Sequence, residues 1–231
     1  MAHLSDDVAS SRCKAWAWLG LGLVLAATCL AACGRSGVQY LYLGRGLVEG
    51  APAGDPRADV QMQSFVEPAA DGEIQVGVQS FSSGGQVTLK VGRGQLASVL
   101  DRLVQSRLEA DGLVFRTGGT WDGTMDGLAR QGWPPEIIVR GTVDRYWVDA
   151  QTGLTGTRIR TELAMTLEVG LVRERAVIQK QVRIEQDLFK VSGTVETIDE
   201  VADLALKEGA KEAAAMMLRV LAEQRPGRVG R

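Results

Sequence analysis

The chain has 231 residues, 26 Lys and Arg against 28 Asp and Glu, and a formal net charge of -2. That balance lacks the basic footprint of a nucleic-acid binder, while 45% apolar residues suffice to bury a core. The chain's histidine and cysteines are His3, Cys13, Cys29 and Cys33, so removal of residues 1–32 leaves no histidine and one cysteine at the new N-terminus. An internal disulfide, a Cys/His zinc site and Ser-His-Asp catalysis are then excluded from the mature protein.

Arg12 and Lys14 supply a positive start, and from Ala15 to Gly34 no residue is charged. This fits a secretory hydrophobic region ending in small residues. Leu30-Ala31-Ala32-Cys33-Gly34 resembles the bacterial lipobox, in which the chain is cut just before the cysteine. The resemblance implies a signal peptide over 1–32 and a covalent diacylglycerol and N-acyl chain on Cys33, with no other cofactor. Each buried CH2 is worth roughly 0.8 kcal/mol, and two or more chains make attachment stable. Gly34 follows the cysteine where an Asp would signal inner-membrane retention in enterobacteria, so the expected location is the periplasmic face of the outer membrane.

Residues 33–57 are rich in Gly and Pro and read as a lipid-anchored tether, interrupted by a short strand over Val38–Leu43. The compact domain is expected over 58–224, with a disordered tail at 225–231. Within it, 58–66 alternates as a strand. Ile74, Val76 and Val78, then Val87, Leu89 and Val91, alternate with polar residues around Ser82-Ser83-Gly84-Gly85, a hairpin signature. Leu96, Val99, Leu100, Leu103 and Leu108 share a helix face, and Gly112 stands where that helix stops. Leu113-Val114-Phe115 reads as a short strand, and 117–135 as a long loop.

Three strands follow. Ile137, Val139 and Val143 share a face, with Arg140, Thr142 and Asp144 opposite. In 158–171 every odd position except Thr161 is apolar, which predicts a long strand with one buried and one wet face. Ala176–Gln186 repeats the pattern with Ile178, Val182 and Ile184. A final helix starts at Thr197 with a Thr197–Glu200 capping box and runs to about Gln224. The expected architecture is α+β: an antiparallel meander sheet with two helices packed on one face.

This order resembles the YajG-type family of bacterial outer-membrane lipoproteins. The segments that carry the likeness are QLASVLDRLVQSRLEADGLVF, EIIVRGTVDRYWVDAQTG, TRIRTELAMTLEV and FKVSGTVETIDEVADLAL. The resemblance implies location and fold, and Cys33 as the acylated position; it implies no catalytic residues. A weaker resemblance, through the lipobox and QYLYL, is to auxiliary lipoproteins of ABC-type lipid transport systems.

Gly92-Arg93-Gly94-Gln95-Leu96-Ala97 fits G-x-G-x-x-A between a strand and a helix. A dinucleotide site also needs an acidic residue after the next strand, where Arg116 stands, so a plain glycine turn is the better reading. Asp122-Gly123-Thr124-Met125-Asp126-Gly127 lacks the spacing and closing Glu of a calcium loop. Asp144 and Asp149 fall on opposite faces of an alternating strand, which argues against a paired-carboxylate site. Trp121, Trp133, Tyr146 and Trp147 are the candidate partner surface, since Trp and Tyr favour interfaces; the plainer reading is a plug beneath the long loop. Arg158, Arg160 and Arg173 with Glu162 and Glu168 read as a solvated sheet face.

These readings make the protein a non-enzymatic binding or scaffold module of the cell envelope, facing the periplasm. Its expected partners are the membrane, through the lipid, and an envelope protein or a second copy of itself. The alternative is an auxiliary lipoprotein of a lipid transporter, which needs an apolar groove.

Overall fold

The computed structural model describes residues 36–44, 59–67, 72–130 and 135–223. The segment 1–32 expected to be a signal peptide, Cys33, most of 33–57, Trp133 and the tail 225–231 lie outside the described residues. The elements in chain order are β1 (Gly37–Tyr40), β2 (Asp59–Met62), β3 (Ile74–Phe81), β4 (Gln86–Val91), α1 (Gln95–Ala110), β5 (Val114–Thr117), α2 (Met125–Ala129), β6 (Ile137–Thr152), β7 (Thr157–Leu171), β8 (Ala176–Lys190) and α3 (Val195–Glu223). The fold is α+β, with all eight strands in one sheet.

Strand β6 is the spine. One edge pairs with β7 along its whole length, and β7 pairs with β8, both antiparallel. The other edge is shared: β2 runs parallel to its first residues and β3 parallel to its last. Two short branches extend the sheet from there, β2–β5 at one end and β3–β4–β1 at the other. The expected antiparallel meander therefore holds for β6–β7–β8 and for the β3–β4 hairpin, but the sheet as a whole is mixed. Alternation reports which face a side chain takes and carries no information on the direction of the neighbouring strand.

Helices α1 and α3 pack on one face, as expected. Leu96, Val99, Leu100, Val104 and Leu108 of α1 and Ile198, Val201, Leu206, Ala213 and Met217 of α3 share one core with Ile159, Leu163, Met165, Leu167 and Val169 of β7. Gly209 is a close approach: a Cβ there would meet Leu163 and Met165, so the glycine lets α3 lie directly on the sheet. Helix α1 stops at Gly112, whose φ is 82°. The Gly112 N–H donates to Glu109 O at 2.9 Å and the Leu113 N–H to Leu108 O at 3.2 Å, the paired bonds of a glycine-terminated helix. Helix α3 begins at Val195, earlier than Thr197, with the Ile198 N–H donating to Thr194 O at 3.1 Å.

Two boundaries change. The folded body already includes Gly37–Leu43, ahead of the expected start at 58, because β1 pairs with β4 and Leu41 and Leu43 are buried. Buried carboxylates of α3 hold this segment: Asp199 accepts from the Tyr42 N–H at 3.2 Å and Asp203 from the Gly44 N–H at 2.7 Å. The segment read as a loop over 117–135 contains α2, capped by the Thr124 hydroxyl, which accepts from the Gly127 N–H at 2.9 Å. Helix α2 and Trp121 lie on the opposite face of the sheet from α1 and α3, over Ile138 and Gly170.

A bulge in β6 decides which side chains the second face carries. Val143 pairs with Met165 and Arg145 with Ala164, leaving Asp144 as the extra residue. Before it, Ile137, Val139 and Val143 enter the main core; after it, Tyr146, Val148 and Ala150 do. The odd positions thus change face half way along the strand.

Candidate functional site

Among the described residues, nothing covers the face away from α1 and α3 around the second half of β6 and its partners on β7 and β8. The pleat and the bulge bring Trp147, Glu162 and Glu185 into one cross-strand row and Asp149, Arg160 and Asp187 into the next. Together with Arg183 these residues line a concave site of about 680 Å3. Charges are neutralised in two knots. Asp187 takes Arg158 through two hydrogen bonds, at 2.8 and 2.6 Å, and Arg160 at 3.1 Å. Glu162 takes Arg145 at 2.7 Å and Arg183 at 3.0 Å, and Arg183 also reaches Glu185 at 2.9 Å.

The hydrogen bonds from Arg158 hold the Asp187 carboxyl below the ordinary aspartate range, and Arg160 adds to the effect. The same pair raises Arg158. These groups face solvent, so water and salt screen the pairs and each adds little to stability. What they do is fix long side chains in register around a half-buried indole. That arrangement suits a polar partner that can exchange hydrogen bonds with carboxylates and guanidinium groups and stack on Trp147. Its charged lining does not suit an acyl chain.

The four aromatic residues named from the sequence do not form one surface. Trp147 lies in the concave site. Tyr146, its neighbour in sequence, points through to the main core, where its hydroxyl donates to Ala202 O at 3.2 Å; burial pushes its phenol well above the ordinary range, helped by Asp203 and Asp199. Trp121 is buried against Leu128 and Ile138, and its indole N–H donates to Thr124 O at 2.8 Å. It is the plug beneath the loop. Trp133 lies outside the described residues. The missed members of the site are Arg145, Arg183, Glu185 and Asp187; the even-odd pairing of β7 with β8 was the signal that could have found them.

The other candidates resolve into local structure. The helix start after Gly92-Arg93-Gly94 is already occupied by the chain's own carboxylate, because Glu67 accepts from the Gly94 N–H at 2.9 Å and the Ala97 N–H at 2.7 Å. An anion at a helix N-terminus is the arrangement a phosphate would have used. Asp122 accepts from the Thr124 hydroxyl at 2.6 Å and backbone N–H at 3.0 Å, and Arg130 at 3.1 Å lies on its other oxygen. The Thr124 bonds hold it below the ordinary range, as a cap to α2. Asp144 and Asp149 are corrected to the same face by the bulge, yet they take different partners, the Thr166 hydroxyl at 2.7 Å and the Gln151 amide at 3.2 Å. Among the described residues no group of three or more His, Cys, Asp or Glu side chains is placed to hold a metal ion. No described helix is long and apolar enough to cross a membrane.

Fold and site together define an α+β sheet domain with a helical face and a charged open face. Among solved structures, it is similar to protein XCC0632 from Xanthomonas campestris, of family DUF330, at a TM-score of 0.51 and 8% identity over 82% of this chain and 99% of that one. An uncharacterized protein (TM-score 0.42, 10% identity, 79% and 99% coverage) and the hypothetical protein CT253 from Chlamydia trachomatis (0.43, 13%, 69% and 95%) are also similar. No protein-family model matches the sequence, and no curated protein matches it. At the level of fold the chain thus groups with the DUF330 structure.

Proposed function

We propose that the protein is a lipid-anchored lipoprotein of the bacterial envelope, of the YajG type, whose domain faces the periplasm and binds a partner without catalysis. The observation that carries the anchor is Leu30-Ala31-Ala32-Cys33 at the end of an uncharged run, with strand β1 following four positions later at Gly37. The binding half of the reading is supported by the open face, where Trp147 sits in a lattice of paired charges on long strands. Strand-borne side chains are held more firmly than loop-borne ones, which favours recognition. The charged lining argues for a protein or other polar partner over the lipid-transport alternative.

The test is purification of the lipidated protein from envelopes in mild detergent, with mass spectrometry of the protein and of whatever accompanies it. Acylation of Cys33 and a stoichiometric protein partner lost on Trp147→Ala support the reading. Stoichiometric phospholipid retained by the Trp147→Ala protein would move the function to lipid transport. Replacement of Cys33 by Ser is expected to abolish acylation; continued acylation would disprove the anchor.

A further inference from the structure

The two ends of the sheet differ in chemistry, and the chain leaves from one of them. Gly37 pairs with Val87 at the start of β4, Phe81 with Thr152 at the end of β6, and Thr157 with Lys190 at the end of β8. The Ser82 N–H donates to Thr152 O at 2.9 Å, tying the β3–β4 turn to the same end. So the start of β1, the β6–β7 turn and the end of β8 all lie at one tip. The opposite end carries the β7–β8 turn, Val172-Arg173-Glu174-Arg175.

That far turn is charged; the tip exposes three large apolar side chains beside the polar Ser82 and Ser83 and the Lys190–Glu200 pair. Leu154 at the β6–β7 turn is 101% exposed, Val191 86% and Phe189 60%. The turn Gly153-Leu154-Thr155-Gly156 has glycine at both ends, and Gly156 has φ 155°. A fully solvated leucine between them adds nothing to the turn. Just beneath, Gln79, Thr152 and Thr157 close the core with their own hydrogen bonds, Gln79 to Thr152 at 2.9 Å and Thr152 to Thr157 at 3.0 Å. The exposed apolar groups are therefore outside the core rather than a frayed part of it.

We infer that this tip is a membrane-contact surface, in which Leu154, Phe189 and Val191 enter the lipid headgroup region beside the acylated Cys33. The inference rests on the lipid anchor proposed above. Gly37 lies four positions after Cys33, a reach of at most about 14 Å at full extension. The β6–β7 turn lies three to four strands from β1, about 15–20 Å at the ordinary strand spacing. An anchor on so short a leash holds this end against the bilayer, while the far turn stands about 50 Å away along β7. Apolar side chains at an interface bury into the outer 5–10 Å or so of the bilayer, and an added lipid chain makes the contact intramolecular.

The lipidated protein reports on this directly. Cleavage removes Cys13 and Cys29 and acylation blocks Cys33, so Leu154→Cys and Val191→Cys each provide a single thiol for an environment-sensitive fluorophore. Glu174→Cys on the far turn is the reference. In vesicles of phosphatidylethanolamine and phosphatidylglycerol carrying a spin-labelled quencher lipid, emission at 154 and 191 is expected to be blue-shifted and quenched, and emission at 174 unchanged. Adding Leu154→Asp to the Val191→Cys protein is expected to reduce the quenching at 191; Leu154 is fully solvated, so this change leaves folding intact. Mass spectrometry of the same preparation reads Cys33. An acylated Cys33 with 154 and 191 no better quenched than 174 overturns the tip contact alone. An unacylated Cys33 overturns the anchor and the tip contact together.

Discussion

The two faces of the β6–β7–β8 meander are made from alternate residues of the same strands and hold together by different forces. Toward the helices, Leu163, Met165 and Leu167 are fully buried under α3. Toward solvent, their sequence neighbours Glu162 and Thr166 join a row of charges and hydroxyls. Burial of apolar area supports the first face and is insensitive to salt; the second is a set of screened pairs whose value lies in position. A single strand can thus supply stability on one side and an ordered charged surface on the other, with one residue of spacing between the two.

The largest test of that contrast is a neighbouring pair of substitutions. Leu163→Ala is expected to cost about 2–5 kcal/mol, from lost burial plus a residual cavity. Glu162→Gln, one residue away, is expected to cost less than about 1 kcal/mol. Urea denaturation of both proteins reads the difference; equal losses would break the comparison.

Tyr146 and Trp147 repeat the test within β6. Tyr146→Phe removes the buried bond to Ala202 and is expected to cost about 1 kcal/mol. Trp147→Phe is expected to leave the denaturation midpoint within about 0.5 kcal/mol of the parent while weakening partner binding. A larger stability loss from the Trp147 change would mean that the open face is part of the core.

Two carboxylates sharpen the contrast through pH. Asp101 on α1 is raised above the ordinary range by burial, against the Phe65 N–H at 2.9 Å and the Ser64 side chain, which favour its charge. The folded state therefore holds its proton more tightly than the unfolded chain does. Its charge costs stability above the folded pKa, and the cost is relieved as pH falls through that value. Asp101→Asn keeps an acceptor for Phe65 and is expected to stabilise the protein at neutral pH by no more than about 1 kcal/mol, with the gain disappearing in acid. Thermal melts of both proteins at neutral and acidic pH read it.

Asp187 on the open face has the opposite sign and the smallest effect. Its folded pKa is lowered, so its contribution is present above the unfolded value and is lost as pH falls through the folded one. Asp187→Asn is expected to lower the melting temperature slightly at neutral pH, and less so in high salt. A melting temperature independent of salt would show that its Arg pairs are not screened.

Much of the fold was legible. The 3.6-residue pattern of α1 with its Gly112 stop, the Ser-Ser-Gly-Gly hairpin and the strict alternation of β7 each reflect local physics that needs no partner to be read. The bulge at Asp144 was not legible, because one extra residue leaves no mark in composition; that omission separated Asp144 from Asp149, while Tyr146 was grouped with Trp147 by residue type alone. The parallel docking of β2 and β3 on β6 is set by distant partners. Helix α2 was more accessible: Thr124 followed by Met125-Asp126 is a cap with an acidic first turn. At the site, the Trp147 side chain was readable as unusual, but its ring of Arg145, Arg183, Glu185 and Asp187 depends on cross-strand register.

The spine arrangement of β6 also dictates an order of assembly. Strands β6, β7 and β8 are consecutive hairpins and can pair as soon as they meet, and so can β3 and β4. The β3–β4 hairpin and strand β2, by contrast, join the rest of the sheet only through β6, which is made much later in the chain. Contacts between segments distant in sequence form slowly because a long loop must close first. A chain emerging N-terminus first thus presents β1 to β4 as a hairpin and loose strands with unpaired edges until β6 arrives. That interval is when the protein is open to aggregation or to a chaperone, and it ends with the synthesis of a single strand.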